Sequence, residues 1–192
     1  MPAAAQQPDL GALLASIARA PPQSIAFVEY RASPLLEEEL VINGRLEYAG
    51  AGRLSRVALH PYAERTDIDG DSVTVSRPGR PVRRFSMRRI PELAGLMGGF
   101  QALLAGDRQR LEREFELTIA AMPHGWQLAL VPQSKRAREL AGDIRVRGEG
   151  DQPLCIVTGN PARGTHSLLA LGVAADGTQA RQRRAEFCGE SP

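Results

Sequence analysis

The sequence predicts an α+β protein that is mainly β, a long antiparallel meander of roughly ten or eleven short strands with two helices. Segments of alternating apolar and polar residues recur along most of the chain, and turn signals such as Asp69-Gly70 separate them. Two stretches, one at the start and one in the middle, instead repeat their apolar residues with a helical period. Antiparallel sheets of this size curl. We therefore expect a hollow face with a helix across its mouth, enclosing either a filled core or an apolar cavity.

The N-terminal half of the sequence predicts one helix followed by six strands. Asp9 suits the N-cap of a helix that runs to Ala20, where Pro21 and Pro22 stop it. Gly44 interrupts the apolar face of the second strand, which predicts a bulge or a bend. The strands are expected over residues 24–31, 40–48, up to 59, 63–68, 72–76 and up to 87.

The central helix is predicted over residues 89–107, in the sequence RRIPELAGLMGGFQALLAGD. Pro91 suits a first helical turn. Gly95, Gly98 and Gly99 are unusual because an interior glycine costs about 0.5 to 1 kcal/mol relative to alanine. We interpret this helix as a lid that glycine either loosens or brings close to the sheet. Its apolar stripe consists of Leu93, Leu96, Met97, Phe100, Leu103 and Leu104.

The C-terminal half predicts a short helical turn near residue 110 and then strands only. Residues 115–121 and 126–130 form a hairpin pattern, and further strands are expected around 144–146, 154–159 and 165–172. The last twenty residues are polar and expected to be loosely held. The length suits one domain over 9–172, with flexible termini at 1–8 and 173–192.

Composition indicates an ordinary globular protein. Apolar residues make up 43% and charged residues 24%, and the net charge is +2. Nucleic-acid binding is not expected, because it favours a basic excess with exposed aromatic residues. The start, MPAAAQQPDL, lacks the features of a secretory signal, so the protein is either cytosolic or a mature portion whose signal was removed. Cys155 and Cys188 are consistent with a disulfide in an oxidising compartment or with two thiols.

No familiar catalytic or metal-binding motif occurs in the sequence. The patterns GxSxG, GxxxxGK[ST], HExxH and CxxC are missing, so we expect no catalytic residue, metal or cofactor. His60, His124 and His166 lie near strand ends or turns at spacings that suggest no common ligand set, which favours surface positions.

Charged clusters have simple structural interpretations. The acidic residues at 67, 69 and 71 resemble the start of a calcium loop, but the glycine falls at the wrong position and Pro78 stands where a bidentate glutamate is needed. A hairpin turn explains them better. Glu37–Glu39 suit a solvated turn. The pairs Arg83-Arg84 and Arg88-Arg89 suit either lipid or phosphate headgroups or solvated strand ends.

The order of these elements resembles a known family. GRLEY in the second strand, the hairpin IDGDSVTVSRP, the helix end LLAGD, and the strands FELTI and GWQLALVP follow one another as in the outer-membrane lipoprotein carrier family, the LolA-like proteins. The similarity covers roughly residues 9–171. Its best local pieces are Gly44-Arg45-Leu46 and the Asp69-Gly70 hairpin that ends in Arg77-Pro78.

The resemblance implies a half-open, strongly bent antiparallel sheet, an incomplete β-barrel whose apolar inner face is covered by helices. It further implies a monomeric periplasmic carrier that shields lipoprotein acyl chains between an inner-membrane donor complex and an outer-membrane acceptor. Where the family tends to have an arginine-proline pair associated with holding the lid closed, this chain has Gly50-Ala51, with Arg53 nearby as a possible substitute. The family also includes relatives linked to aryl-polyene pigment lipids and an enzyme of pigment biosynthesis.

Three function hypotheses follow. The first is a carrier that binds acyl chains, or a related hydrophobic ligand, by burying apolar surface at about 25 cal/mol per Å². The second is a cofactor-free enzyme on the same scaffold that acts on a hydrophobic or pigment-type substrate through polar groups inside the cavity, with Glu29, Arg31 and Arg84 as candidates. The third is a sensor or interaction module that binds a partner peptide in the apolar groove.

The predicted ligand-binding residues are the apolar faces of the strands and of the central helix. For each strand residue a filled core is an equal alternative, because periodicity identifies a buried face without showing whether a cavity adjoins it. The predicted set is Ile42, Leu46, Leu93, Leu96, Met97, Phe100, Leu103, Phe115, Leu117, Ile119, Trp126 and Leu128.

Overall fold

A computed structural model describes residues 9–50, 52–89, 91–173 and 177–189, without the side chains of residues 91–97 and 161. Its described strands form one eleven-stranded antiparallel sheet that is not closed into a barrel, which confirms the predicted fold class. The strands are β1 Gln23–Ala32, β2 Leu40–Gly50, β3 Arg53–His60, β4 Glu64–Asp69, β5 Ser72–Ser76, β6 Arg83–Ser86, β7 Phe115–Ala121, β8 Trp126–Pro132, β9 Asp143–Glu149, β10 Gln152–Asn160 and β11 Thr165–Leu171.

The first and last strands meet in the middle of the sheet. The strand order is β6-β5-β4-β3-β2-β1-β11-β10-β9-β8-β7, so β6 and β7 are the edges. Glu29 of β1 lies opposite Ile42 of β2 on one side and opposite Leu169 of β11 on the other. The pairing of β1 with β11 therefore joins two meanders, β1–β6 and β7–β11, and the inward-facing residues of these two strands lie at the centre of the sheet.

The bulge predicted at Gly44 is present. The register between β2 and β3 shifts between Asn43 and Gly44. A Cβ atom placed on Gly44 would lie 1.9 Å from the carbonyl oxygen of Val57. Only glycine allows this close approach of the two backbones, which bends the second strand.

The structure contains more helices than the two predicted, and the short helical turn expected near residue 110 is a helix over Arg108–Glu114. The additional short helices carry too few turns for a clear helical period, although capping residues mark two of them: Asp107 accepts from the Arg110 N–H, and Ser134 accepts from the Ala137 N–H. The helices are α1 Leu10–Ile17, α2 Pro91–Ala105, α3 Arg108–Glu114, α4 Lys135–Ala141 and α5 Thr178–Arg183, with 3₁₀ turns at Met87–Arg89 and Pro161–Arg163 and a π turn at Arg184–Cys188.

Helix α1 begins as predicted and ends early. The Asp9 side chain accepts a hydrogen bond of 2.7 Å from the Ala12 N–H and so caps the helix. The helix ends at Ile17 rather than Ala20, and the Arg19 N–H donates to the Leu104 carbonyl of α2 at 3.0 Å. A tertiary contact between two helix ends, which no local sequence signal reveals, decides this boundary.

One face of the sheet, called the inner face below, packs against α1–α4. Its core includes Leu14 from α1, Ala102 and Leu103 from α2, Leu111 from α3 and Ala137 from α4. The strands contribute the apolar residues of their inward positions to the same core. These are Phe27, Ile42, Ala58, Phe115, Trp126, Leu128, Leu130, Ile144, Val146, Ile156 and Leu171.

The C-terminal segment packs on the opposite, outer face. Cys155 of β10 and Cys188 form a disulfide, which resolves the alternative left open by the sequence. Arg184 forms a bidentate ion pair with Glu39 at 2.7 and 2.9 Å and lies over the ring of Tyr30. Residues 177–189 belong to the terminus expected to be flexible, whereas in this structure a crosslink and an ion pair hold them on the sheet.

Candidate functional site

An apolar cavity of about 300 Å³ lies between α1, α2 and the inner face of the sheet. The strands supply inward-facing residues on both sides of the β1–β11 junction, and α2 covers them. Polar groups, among them Arg19, Gln23 and Gln152, also line this cavity. Its apolar wall consists of Ile17, Ile25, Leu46, Leu54, Phe100, Leu103, Leu104, Val146, Ile156 and Leu171.

A second pocket of about 430 Å³ lies at the other end of the same strands. Ile25 of β1 lines the cavity and Arg31 of β1 lines the pocket. These residues are about 20 Å apart along the strand, at about 3.3 Å per residue. Phe100 of α2 lines both spaces. The cavity and the pocket, together called the groove, lie along the inner face with the Phe100 side chain between them.

The predicted ligand-binding residues divide into three groups. Leu46, Phe100 and Leu103 line the cavity. The side chains of Leu93, Leu96 and Met97 lie outside the described residues. The remaining six pack in or against the inner-face core, and their contact with a ligand stays a prediction; they are Ile42, Phe115, Leu117, Ile119, Trp126 and Leu128.

Several residues that line the cavity are absent from the predicted set, although they follow the same apolar periodicity as the residues in it. Ile17 belongs to the apolar stripe of α1, and Ile25, Leu54 and Ile156 are inward-facing strand residues. Alternation does not separate these residues from those that fill the core. The difference depends on where a space remains between the sheet and the helices α1 and α2.

A buried carboxylate lies on the inner face beside the second pocket. Glu29 is 2% exposed. Its Oε1 accepts from Arg31 Nη2 at 2.7 Å, from Arg31 Nε at 3.1 Å and from the Ser167 hydroxyl at 2.6 Å. Its Oε2 accepts from Arg56, whose guanidinium lies 5.0 Å from the centre of the Phe27 ring.

These donors keep Glu29 ionised. Burial by itself raises the pKa of the Glu29 carboxyl, but the hydrogen bond from Ser167 and the charges of Arg56 and Arg31 outweigh it, and the pKa lies below its ordinary value of 4.5. The structure therefore brings together two of the polar residues considered for an enzyme, Glu29 and Arg31. It leaves Arg84 exposed on the edge strand β6.

His60, His124 and the acidic run lie apart from the groove, whereas His166 lines its second pocket. His60 and His124 are exposed, and His166 is half-buried. Burial, and then the charges of Arg145 and Arg184, lower the pKa of His166. The acidic run lies in the β4–β5 hairpin, as predicted. Over residues 9–50, 52–89, 91–173 and 177–189, no group of three or more His, Cys, Asp or Glu side chains could hold a metal ion.

A family model described as "Outer membrane lipoprotein carrier protein LolA-like" matches residues 2–189. The chain belongs to this family. No curated protein sequence matches it. None of the helices in the described part of this LolA-like chain is long and apolar enough to span a membrane.

Three solved structures are similar to this chain at low sequence identity. A putative outer membrane lipoprotein-sorting protein domain from Vibrio parahaemolyticus has a TM-score of 0.50 and 12% identity, over 92% of this chain and 95% of that one. A LolA superfamily protein from Nitrosomonas europaea has a TM-score of 0.45 and 11% identity, over 84% and 90%. The Pseudomonas aeruginosa MucA/MucB complex contains a chain with a TM-score of 0.42 and 14% identity, over 90% and 60%.

The contact between α2 and the β2–β3 turn differs from the one that the LolA-like resemblance implies. Ala51 lies outside the described residues, and Arg53, the expected substitute for the family's arginine, is exposed. Gln101 of α2 instead donates from Nε2 to the Gly52 carbonyl at 2.9 Å. A side chain of the helix thus contacts the backbone of the turn.

Gly99 lets α2 lie close to the sheet. A Cβ atom placed on Gly99 would lie 1.9 Å from Cε2 of Phe115, the first residue of β7. A Cβ atom on Gly98 would meet only the flexible end of Arg110, at 3.3 Å. Of the two roles proposed for these glycines, the structure supports close packing at Gly99.

Proposed function

We propose that this protein is a periplasmic carrier that shields acyl chains of lipoproteins, or of a related lipid, during transfer between the inner and outer membranes. The observation that carries the proposal is the apolar cavity of about 300 Å³ between α2 and the sheet. Burial of apolar surface contributes about 25 cal/mol per Å², or about 0.8 kcal/mol per methylene, and requires no hydrogen-bonding partner.

The size of the cavity limits which ligand fits while α2 covers the sheet. An apolar cavity of roughly 150 Å³ holds one benzene molecule. A cavity of about 300 Å³ therefore has room for a segment of an acyl chain. A longer chain requires Phe100 to move, which would join the cavity to the second pocket. Binding and release are accordingly expected to involve displacement of α2.

The disulfide supports a periplasmic location, since disulfides persist in oxidising compartments and are rare in the cytosol. As partners we propose, on the family's pattern, a donor complex in the inner membrane and an acceptor in the outer membrane.

The Glu29 carboxylate beside the second pocket favours a binding protein over an enzyme. Both oxygens of Glu29 accept hydrogen bonds and its pKa is lowered, which makes it a weak proton acceptor.

Organic-solvent extraction of the purified protein, followed by mass spectrometry, tests the carrier. We expect stoichiometric lipid or acyl species, and displacement of an apolar fluorophore by added fatty acid. An empty extract together with undisplaced fluorophore would contradict the proposal.

Phe100→Glu tests the position of the ligand. The substitution places a charge between cavity and pocket, so we expect ligand retention to fall much more than stability. Leu35→Glu is the control, because it introduces the same charge at a side chain that is 94% exposed. Equal retention by the two variants would exclude this groove as the binding site.

A further inference from the structure

We propose that the second pocket recognises the anionic headgroup of the bound lipid, with Arg31 as the cation that contacts it. This inference rests on the proposed carrier function and adds the chemical class of the cargo. The expected ligand is an amphiphile whose acyl chain occupies the apolar cavity and whose phosphate or carboxylate lies at Arg31. The apolar cavity thus accommodates the acyl chain, and the second pocket accommodates the charged headgroup.

The cluster around Glu29 on the inner face contains more positive than negative side chains. Arg31 and Arg56 converge on one carboxylate, that of Glu29, so the three side chains together carry one net positive charge. The Glu29 oxygens are already occupied by Ser167 and the two arginines. An excess cation on a largely apolar wall attracts an anion more strongly than it would in water, because the surroundings screen it less.

The geometry of Arg31 leaves part of its guanidinium for a ligand. Nε and Nη2 both donate to the same oxygen of Glu29, at 3.1 and 2.7 Å, and these contacts fix the orientation of the planar group. The Arg31 side chain is 42% exposed and lines the second pocket. Glu29 thus acts as a positioning residue. A guanidinium with a fixed orientation binds phosphate or carboxylate oxygens with directional, charge-assisted hydrogen bonds.

The rest of the pocket wall suits an anion. Thr158 and Thr165 line it and supply neutral hydroxyl groups, and His166 lines it as well. Ser167 and Asn160 also line it, but they donate hydrogen bonds to Glu29 and to the Glu139 carbonyl. Among the described residues that line this pocket, none is an aspartate or a glutamate. Ile25, which lines the apolar cavity, lies about 20 Å along β1 from Arg31. When Phe100 moves aside, a lipid can therefore place its chain and its headgroup in the two parts of the groove at once.

Arg45 provides a matched control for Arg31. It lies on the neighbouring strand β2, its side chain is 44% exposed, and its Nε donates to Glu47, two residues along the same strand. Arg31 has the same relation to Glu29. Arg45 lines neither the cavity nor the pocket. Replacing each arginine by glutamine therefore removes the same charge and a similar ion pair, and only one replacement changes the groove.

The test compares lipids that share one acyl chain and differ in headgroup. Displacement of an apolar fluorophore is measured with lysophosphatidylglycerol, with the corresponding fatty acid and with the uncharged monoacylglycerol, for the wild type and for Arg31→Gln, Arg31→Lys and Arg45→Gln. We expect the wild type to bind the anionic lipids about tenfold more tightly than the uncharged one, the factor expected for one charge-assisted contact. The two anionic probes distinguish a phosphate from a carboxylate.

Arg31→Gln should abolish this preference, Arg31→Lys should restore part of it, and Arg45→Gln should keep it. Equal affinity of the wild type for all three lipids, or equal losses in the two glutamine variants, would overturn the headgroup site and leave the carrier intact. Failure of all three lipids to displace the fluorophore would overturn the carrier as well.

Discussion

Two adjacent glycines of α2 should respond in opposite directions to the same substitution. Alanine stabilises a helix interior by about 0.5 to 1 kcal/mol relative to glycine. At Gly98 the added methyl group meets only the end of the Arg110 side chain, at 3.3 Å, and this flexible group can move. Gly98→Ala is therefore expected to raise the free energy of unfolding by about 0.5 kcal/mol or more.

At Gly99 the same methyl group meets the Phe115 ring. The Cβ atom would lie 1.9 Å from Cε2 and 2.8 Å from Cζ, and the ring is only 2% exposed, so it has little room to move. Overpacking of this kind typically costs about 1 to 3 kcal/mol, which exceeds the gain in helix propensity. Gly99→Ala should lower the free energy of unfolding by about 1 to 2 kcal/mol.

Urea and thermal unfolding, followed by the fluorescence of Trp126, measure both variants. A separation of about 2 kcal/mol corresponds to roughly 4 to 8 °C in Tm for a chain of this size. Gly99→Ala should also release bound fluorophore faster, because α2 must move away from β7. Phe115→Leu removes the outer ring atoms and should rescue Gly99→Ala in a double-mutant cycle. Equal stability of the two alanine variants would refute the close packing of α2 on Phe115.

Three further predictions concern the contacts that hold the sheet, the groove and α2. Replacing Cys155 and Cys188 by serine should lower the free energy of unfolding by about 3 to 4 kcal/mol, the loop-entropy value for a separation of 33 residues. In denaturation curves, a reductant should lower the stability of the wild type and leave that of the serine variant unchanged. Glu29→Gln should cost about 3 kcal/mol at neutral pH, because two arginines lose a buried partner. Since the folded pKa of Glu29 is lowered, the wild type keeps this contribution to stability above pH 4.5 and loses it as the pH falls through the folded value. Plots of unfolding free energy against pH for the two proteins should therefore converge in acid. A difference in stability that stays constant with pH would contradict the role given to the ionised Glu29. Gln101→Ala removes the hydrogen bond to Gly52 and should cost about 1 kcal/mol while accelerating fluorophore exchange; unchanged exchange would show that this contact does not hold α2 closed.

Local patterns were sufficient for most of the fold. Strict alternation marked the strands, and Asp69-Gly70 and Gly44 marked a turn and a bulge, because side-chain period and backbone sterics act over a few residues. Short helices such as α4 were not predicted, because seven residues make up less than two helical turns. Its N-cap Ser134 was the available signal.

The amino-acid sequence by itself determined which faces are apolar, the meander order and the helical middle segment, because each depends on residues close together in the chain. Tertiary structure alone decided which apolar residues line a cavity and which fill the core. Leu46 and Ile42 share one face of β2, yet Leu46 borders the cavity while Ile42 lies in the core. The same is true of the polar cluster, where Glu29, Arg56 and Ser167 meet from three strands. Such meetings depend on how β1 pairs with β11 and how α2 lies over them, and these long-range contacts leave no local pattern in the sequence.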